Sequence, residues 1–143
     1  MFIDQTLPAF SAEQVKSSCL AMLQVARSHG LHPAESSLIS GFWQQAEPAL
    51  GAFDANTTEA FAAGLFASAG HKQLVLDLCL ACAFADGHYS AEEKVAIAAI
   101  AAQLGLPEAV VQERTAEVRV AFLSSLAHLP DAQSVAALAK GLE

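Results

Sequence analysis

Three carboxylates, Asp86, Glu92 and Glu93, stand close together in the stretch Ala85-Asp86-Gly87-His88-Tyr89-Ser90-Ala91-Glu92-Glu93. Carboxylates gathered at a turn are hard oxygen ligands, so these three are the candidate ligands for Ca2+ or another divalent cation. The spacing overlaps half of a calcium-binding EF-hand loop, with Asp86-Gly87 at its fifth and sixth places and Glu93 at its twelfth. Cys82 and Phe84 would then fill the first and third places, where their side chains offer no hard oxygen, and a true EF-hand is excluded. Calcium takes about six to eight oxygens, so water, carbonyls, a second loop or a partner must complete the shell and affinity should be modest. The same residues also make structural sense without an ion. Ser90 and Glu93 have the spacing of a capping box, and Glu92 and Glu93 fall in a first helical turn, where negative charge is favoured. Asp86 fits less easily, because it follows the end of a helix, where the dipole disfavours an anion. Either it turns toward the N–H groups of the next helix, or it joins Glu92 or Glu93 around a cation.

Other residue types offer weaker chemistry. His29, His32 and His88 lie in two glycine turns and, with Asp86, would bind zinc or nickel if those turns met; the plainer reading is polar histidines on surface loops. Cys79 and Cys82 form a Cys-x-x-Cys, but a redox pair normally sits at a helix N-terminus. These two fall late in an apolar helical stretch and read as small core residues. There is no Gly-x-Ser-x-Gly elbow and no glycine-rich phosphate loop behind a strand, so no catalytic residue is assigned and a non-enzymatic role is expected. Phe42, Trp43, Phe61, Phe66 and Phe122 read as core or groove-lining side chains. A groove near Phe42, Trp43 and Phe66 would suit a small molecule or lipid.

The elements that must position these groups are helices. Ser11-Ala-Glu-Gln14 reads as a capping box, with Val15, Cys19, Met22, Leu23 and Ala26 at helical spacing and Gly30 as the stop. Pro33 opens a second helix, striped by Leu38, Ile39, Phe42 and Trp43. A third is expected from a cap at Asn56 or Thr57 through about Phe66, and a fourth from about His71 to Ala85 after Gly70. Ser90 caps a fifth running to Leu104, Pro107 opens a sixth, and Pro130-Asp131 starts a short last one. The sixth carries Glu108, Glu113, Arg114, Glu117 and Arg119, read as a solvated face with local ion pairs. Leu23, Ala26, Gly30, Ala34 and Glu35 match Leu80, Ala83, Gly87, Ala91 and Glu92 at an offset of 57, which suggests an internal repeat of helix, glycine turn and helix. The expectation is one all-α domain over residues 1–143, a compact bundle of about six to seven helices.

Composition agrees. Alanine accounts for 31 of 143 residues and 54% of the chain is apolar, which favours close-packed helices over disorder. A net charge of −8 argues against binding nucleic acid through its phosphates and favours cations or a basic partner. No signal peptide and no bilayer-spanning stretch is read, and three cysteines fit a reducing compartment, so a cytoplasmic protein without direct membrane insertion is expected.

The run from Leu80 to Glu93, followed by Ile97, Ile100, Ala101, Leu104 and Gly105-Leu106, resembles the tellurite-resistance TerB family. That family's signature is an Ala-Asp-Gly turn, a Ser or Thr, and a Glu three residues on, before a helix ending in Leu-Gly-Leu. The resemblance implies a compact helical bundle and a non-enzymatic role in stress response. It further implies metal-binding acidic residues, carried here by Asp86, Glu93 and Glu92, and contacts with protein partners in membrane-associated complexes. At the same offset the first copy departs from the signature, with His29 in place of the Asp, Pro33 of the Ser and Ser36 of the final Glu, while Glu35 keeps an acidic match. An ion-independent protein-interaction module and a small-molecule or lipid-binding bundle are the alternative functions.

Overall fold

In the computed structural model of the chain, residues 10–28, 30–46, 51–85 and 87–125 are described. Among them the fold is all-helical, with no strand: α1 (Ala12–Arg27), α2 (Pro33–Ala46), α3 (Ala69–Phe84), α4 (Ala91–Gln103) and α5 (Glu108–Ser125), plus a 3-10 turn at Ala63–Leu65.

The centre is α3 against α1. From Leu78 to Phe84 every residue of α3 is buried, so this half of the helix has no exposed face and must be covered on all sides. α1 covers one side and α5 another, with α2 and α4 packed around them. One hydrophobic cluster draws on all five helices and includes Met22, Leu23, Ile39, Phe84, Ile97 and Val118. The alanines and cysteines at the centre, Ala21, Ala26, Cys79, Cys82 and Ala83, let the helix axes approach closely.

Caps set the helix starts. Ser11 Oγ accepts the Gln14 N–H at 3.2 Å while Gln14 Oε1 accepts the Ser11 N–H at 2.9 Å, the box expected from sequence. α3 begins earlier than read: Ser68 Oγ accepts the His71 N–H at 3.1 Å, and Gly70 lies inside the first turn rather than before it. α5 is unbroken from just after Pro107 to Ser125.

The third helix expected from Asn56 or Thr57 to Phe66 is not formed. Apart from isolated turn bonds, such as the Thr57 N–H to the Asp54 carbonyl at 3.3 Å and the Phe66 N–H to the Ala63 carbonyl at 3.1 Å, the backbone there bonds to side chains. Asp54 Oδ1 accepts the Asn56 N–H at 2.9 Å, and Thr57 Oγ1 accepts the Glu59 N–H at 3.2 Å. Arg27 donates to the carbonyls of Ala55 and Thr57. Ser17 Oγ accepts the Ala62 N–H at 2.9 Å and Gln14 Nε2 donates to the Leu65 carbonyl at 2.9 Å. A strap thus satisfied by α1 has no need of helical hydrogen bonds, and it delivers Phe61 and Phe66 to the core as a stacked pair. The last helix, expected from Pro130-Asp131, lies outside the described residues.

Candidate functional site

The turn joining α3 to α4 is built by its own backbone. Ala85 N–H donates to the Cys82 carbonyl at 3.2 Å and Gly87 N–H to the Phe84 carbonyl at 2.9 Å. Gly87 then takes φ +85°, a left-handed conformation open to glycine at little cost. Ser90 closes the turn as the cap of α4: its Oγ accepts the Glu93 N–H at 3.1 Å, and Glu93 Oε1 accepts the Ser90 N–H at 2.9 Å.

This arrangement separates the two glutamates. Glu93 points inward and has no exposed surface, whereas Glu92, its neighbour on the first turn, is exposed. Asp86 lies outside the described residues. The carboxylates of Glu92 and Glu93 therefore do not share a face, and no group of three His, Cys, Asp or Glu side chains suited to a metal forms among the described residues. Calcium would need Asp86, Glu92, carbonyls and water to supply most of its oxygens, with Glu93 already engaged in the cap.

Around the turn, Tyr89 is half-buried, with its ring edge-on to Phe84 at 4.9 Å between centroids. Lys94 Nζ lies 5.3 Å from the Tyr89 ring centre. Burial and the nearby Glu93 charge push the Tyr89 phenol up to about 12, partly opposed by a hydrogen bond with Thr115. This phenol stays protonated at neutral pH.

The first glycine turn has a matching construction. His32 Nδ1 accepts the Ala34 N–H at 3.0 Å, and Glu35 Oε1 accepts the His32 N–H at 2.9 Å. Glu35, like Glu93, has no exposed surface. The structural counterpart of Glu35 is therefore Glu93, not Glu92, because the second connection is one residue longer. The offset of 57 holds for the caps Ser11 and Ser68 and for Gly30 and Gly87, and becomes 58 for the buried glutamates. The signal was present in the capping-box spacing, with His32 acting where serine usually does.

His32 and His88 are exposed, and His29 lies outside the described residues. Cys19, Cys79 and Cys82 are all buried and free of disulfides. Burial pushes the Cys19 thiol up to about 12 and raises Cys79 as well, with Cys19 adding to the latter effect. Cys82 Sγ donates to the Met22 carbonyl at 3.7 Å. All three are core thiols, and the raised pKa values of Cys19 and Cys79 deny those two the thiolate character redox work needs.

Two features were missed in the sequence. Arg114 is not simply solvated: its Nε and Nη2 reach Asp77 Oδ1 and Oδ2 at 2.9 and 2.7 Å, a two-pronged clamp between α5 and α3. The larger opening among the described residues also does not lie at the groove expected near Phe42, Trp43 and Phe66. Trp43 and Phe66 are core residues, and the cavity beside Trp43 holds only about 190 Å³. A trough of about 760 Å³ opens instead between α4 and α5.

An all-α bundle with a capped acidic turn and no catalytic constellation among its described residues is the class this geometry defines. The family model of the tellurite resistance protein TerB matches residues 25–116. That is more than half of the chain, and the chain belongs to the TerB family. The match spans both glycine turns and the first half of α5. No curated protein and no solved structure matches the chain significantly.

Proposed function

We propose that this chain is a non-enzymatic stress-response protein, related to tellurite resistance, that works by binding at the turn between α3 and α4. The ligand is a divalent cation, a protein partner, or both. The observation that carries the reading is the division of labour in the capping box: Glu93 fixes the turn from inside while Glu92 stays on the surface beside it. A turn held this way presents its outward carboxylate without further ordering cost. Asp86, next to Gly87 in sequence, is the second ligand of the proposal. The two hairpins are read as copies of one duplicated unit, with the acidic surface kept only by the second. A cytoplasmic protein that docks on membrane-associated complexes, and not on nucleic acid, fits a chain of net charge −8 with no helix apolar and long enough to cross a membrane among its described residues.

Titration calorimetry with calcium, magnesium and zinc on the wild type, Asp86→Asn and Glu92→Gln tests the cation. Binding heat in the wild type that either substitution abolishes is the expected result; equal and negligible heats in all three overturn the ion. Because Glu93 is spent on the cap, an ion-independent interaction module is the second reading. Under it, cross-linking to a partner persists in chelator and is lost in the Asp86→Asn/Glu92→Gln double variant. Partner capture indifferent to both substitutions would overturn the turn as the binding site.

A further inference from the structure

The trough between α4 and α5 is bounded by two helices that run back along each other. Their connection, Leu104 to Pro107, is short, and Tyr89, just before α4, is hydrogen-bonded to Thr115, well along α5. The walls are mainly apolar, with Ile97, Ala98, Ala101 and Ala102 on α4, Leu106 in the connection and Val111 on α5. The two ends differ in charge. At the Tyr89 end, Lys94 Nζ stands 5.3 Å from the Tyr89 ring centre, and Arg119 lies about one turn beyond Thr115. Glu108 lines the trough at the other end. Lys94 and Arg119 are two of seven basic residues in a chain of net charge −8. Other basic side chains are already engaged: Lys16 by Glu59, Arg27 by the strap carbonyls and Arg114 by Asp77. Arg119 forms no ion pair among the described residues.

We propose that this trough binds one free fatty acid, its tail along the apolar walls and its carboxylate between Lys94 and Arg119. The volume of about 760 Å³ lies within the range of about 300–1,000 Å³ usual for small-ligand sites. The lining has their form too: apolar surface along most of its length, with the charged groups gathered where a head would sit. At about 1.5 Å per residue, Glu108 to Arg119 spans about 17 Å along α5, room for an extended acyl chain. A guanidinium takes a carboxylate on two N–H donors at once, and the Lys94 ammonium adds a compact second charge. Glu108 repels a carboxylate at the opposite end, so one orientation of the chain is favoured. Charge also selects among occupants. A second copy of this chain, or an anionic bilayer, sets many negative charges against −8, whereas a fatty acid brings one and places it on two cations. The site is separate from the turn of Asp86 and Glu92 and stands whether or not an ion binds there.

The test is titration calorimetry of the full chain with decanoate, laurate and myristate, each below its micelle concentration. Saturable binding of one molecule per chain is expected, with affinity rising several-fold at each step of two methylenes. Dodecanol, which has the laurate chain without the charge, should bind about tenfold more weakly than laurate. Arg119→Gln should weaken laurate about tenfold and leave dodecanol unchanged, a split that loss of fold would not produce. Ala102→Trp, at an exposed position, plugs the trough and should abolish binding of both, with far-UV circular dichroism unchanged. No saturable binding of any of the three acids, equal affinity for laurate and dodecanol, or laurate binding that either substitution leaves intact overturns the proposal. Two further outcomes name another occupant and overturn it as well. Binding to phosphatidylglycerol vesicles with none to the monomeric acids would make the ligand a bilayer. A dimer in sedimentation velocity that Ala102→Trp dissociates would make it a second copy of the chain.

Discussion

Glu93 and Glu35 place a carboxylate inside the protein at the start of a helix, where the backbone N–H groups and the positive end of the helix dipole receive it. Glu93→Ala should remove the reach-back bond and leave a void, costing about 1–3 kcal/mol in denaturant unfolding. Glu92→Gln, on the surface one residue away, should stay within about 0.5 kcal/mol of the wild type. That contrast separates holding the turn from presenting it, and equal losses would mean that Glu92 is structural too. The Arg114–Asp77 clamp makes a second test. Both side chains are largely shielded, at 21% and 14% exposure. Burial raises the Asp77 carboxyl above its ordinary range, and Arg114 opposes that only in part. The native state therefore takes this proton at a higher pH than the unfolded chain, and the ionised group weighs against stability above that range. Arg114→Ala leaves the charge buried without its clamp and should cost about 2 kcal/mol at pH 7. The deficit should shrink as pH falls and Asp77 is protonated, which unfolding curves at pH 7 and pH 4.5 would show. An Asp77→Leu/Arg114→Met pair should recover most of the loss, since an apolar replacement removes both desolvation costs.

At the scale of elements, the sequence carried what is local. Caps at Ser11 and Ser90, stops at Gly30 and Gly105, and the apolar faces of α1, α2 and α4 were all legible, because each is written within a turn or two of chain. What failed was long-range. Residues 51–65 have helix-forming alanines, yet many of their backbone hydrogen bonds go to Gln14, Ser17 and Arg27 in α1, and no local pattern announces such partners. The Asp77–Arg114 pair, far apart in sequence, was hidden for the same reason. In the acidic turn the box of Ser90 and Glu93 was readable, but that the box turns Glu93 away from Glu92 needed the packing of α4 on the core. Two consequences belong to the elements themselves. Gly30 sits at φ +103° with open space where a Cβ would go, so Gly30→Ala should cost about 1 kcal/mol from backbone strain alone. Cys19, Cys79 and Cys82 sit inside the α1–α3 contact, so a thiol reagent at pH 8 should label none of them in the native protein and all three after unfolding. Rapid native labelling would mean that these helices open far more easily than their burial implies.

For the molecule as a whole, the question is whether an ion adds to a bundle that already holds itself together. The described core is a continuous cluster of apolar side chains, and both buried glutamates lie in caps. A chelator alone should therefore leave the melting temperature where it is. Added calcium is different, because an ion that binds only the folded state stabilises it by mass action. At about ten times its Kd the gain is about 1.4 kcal/mol, which for a domain of this size raises Tm by about 4 °C. A net charge of −8 attracts any cation, so the site must be told apart from the general field. Asp86→Asn removes one charge of the surplus and leaves that field nearly intact, yet it should abolish the rise in Tm if Asp86 is a ligand. The field's own contribution should fade between about 0.01 and 0.1 M salt, as the screening length drops from about 30 to 10 Å, whereas direct coordination persists. A calcium-induced rise of equal size in wild type and Asp86→Asn, vanishing with salt, would leave only the field and remove the ion from the proposed site.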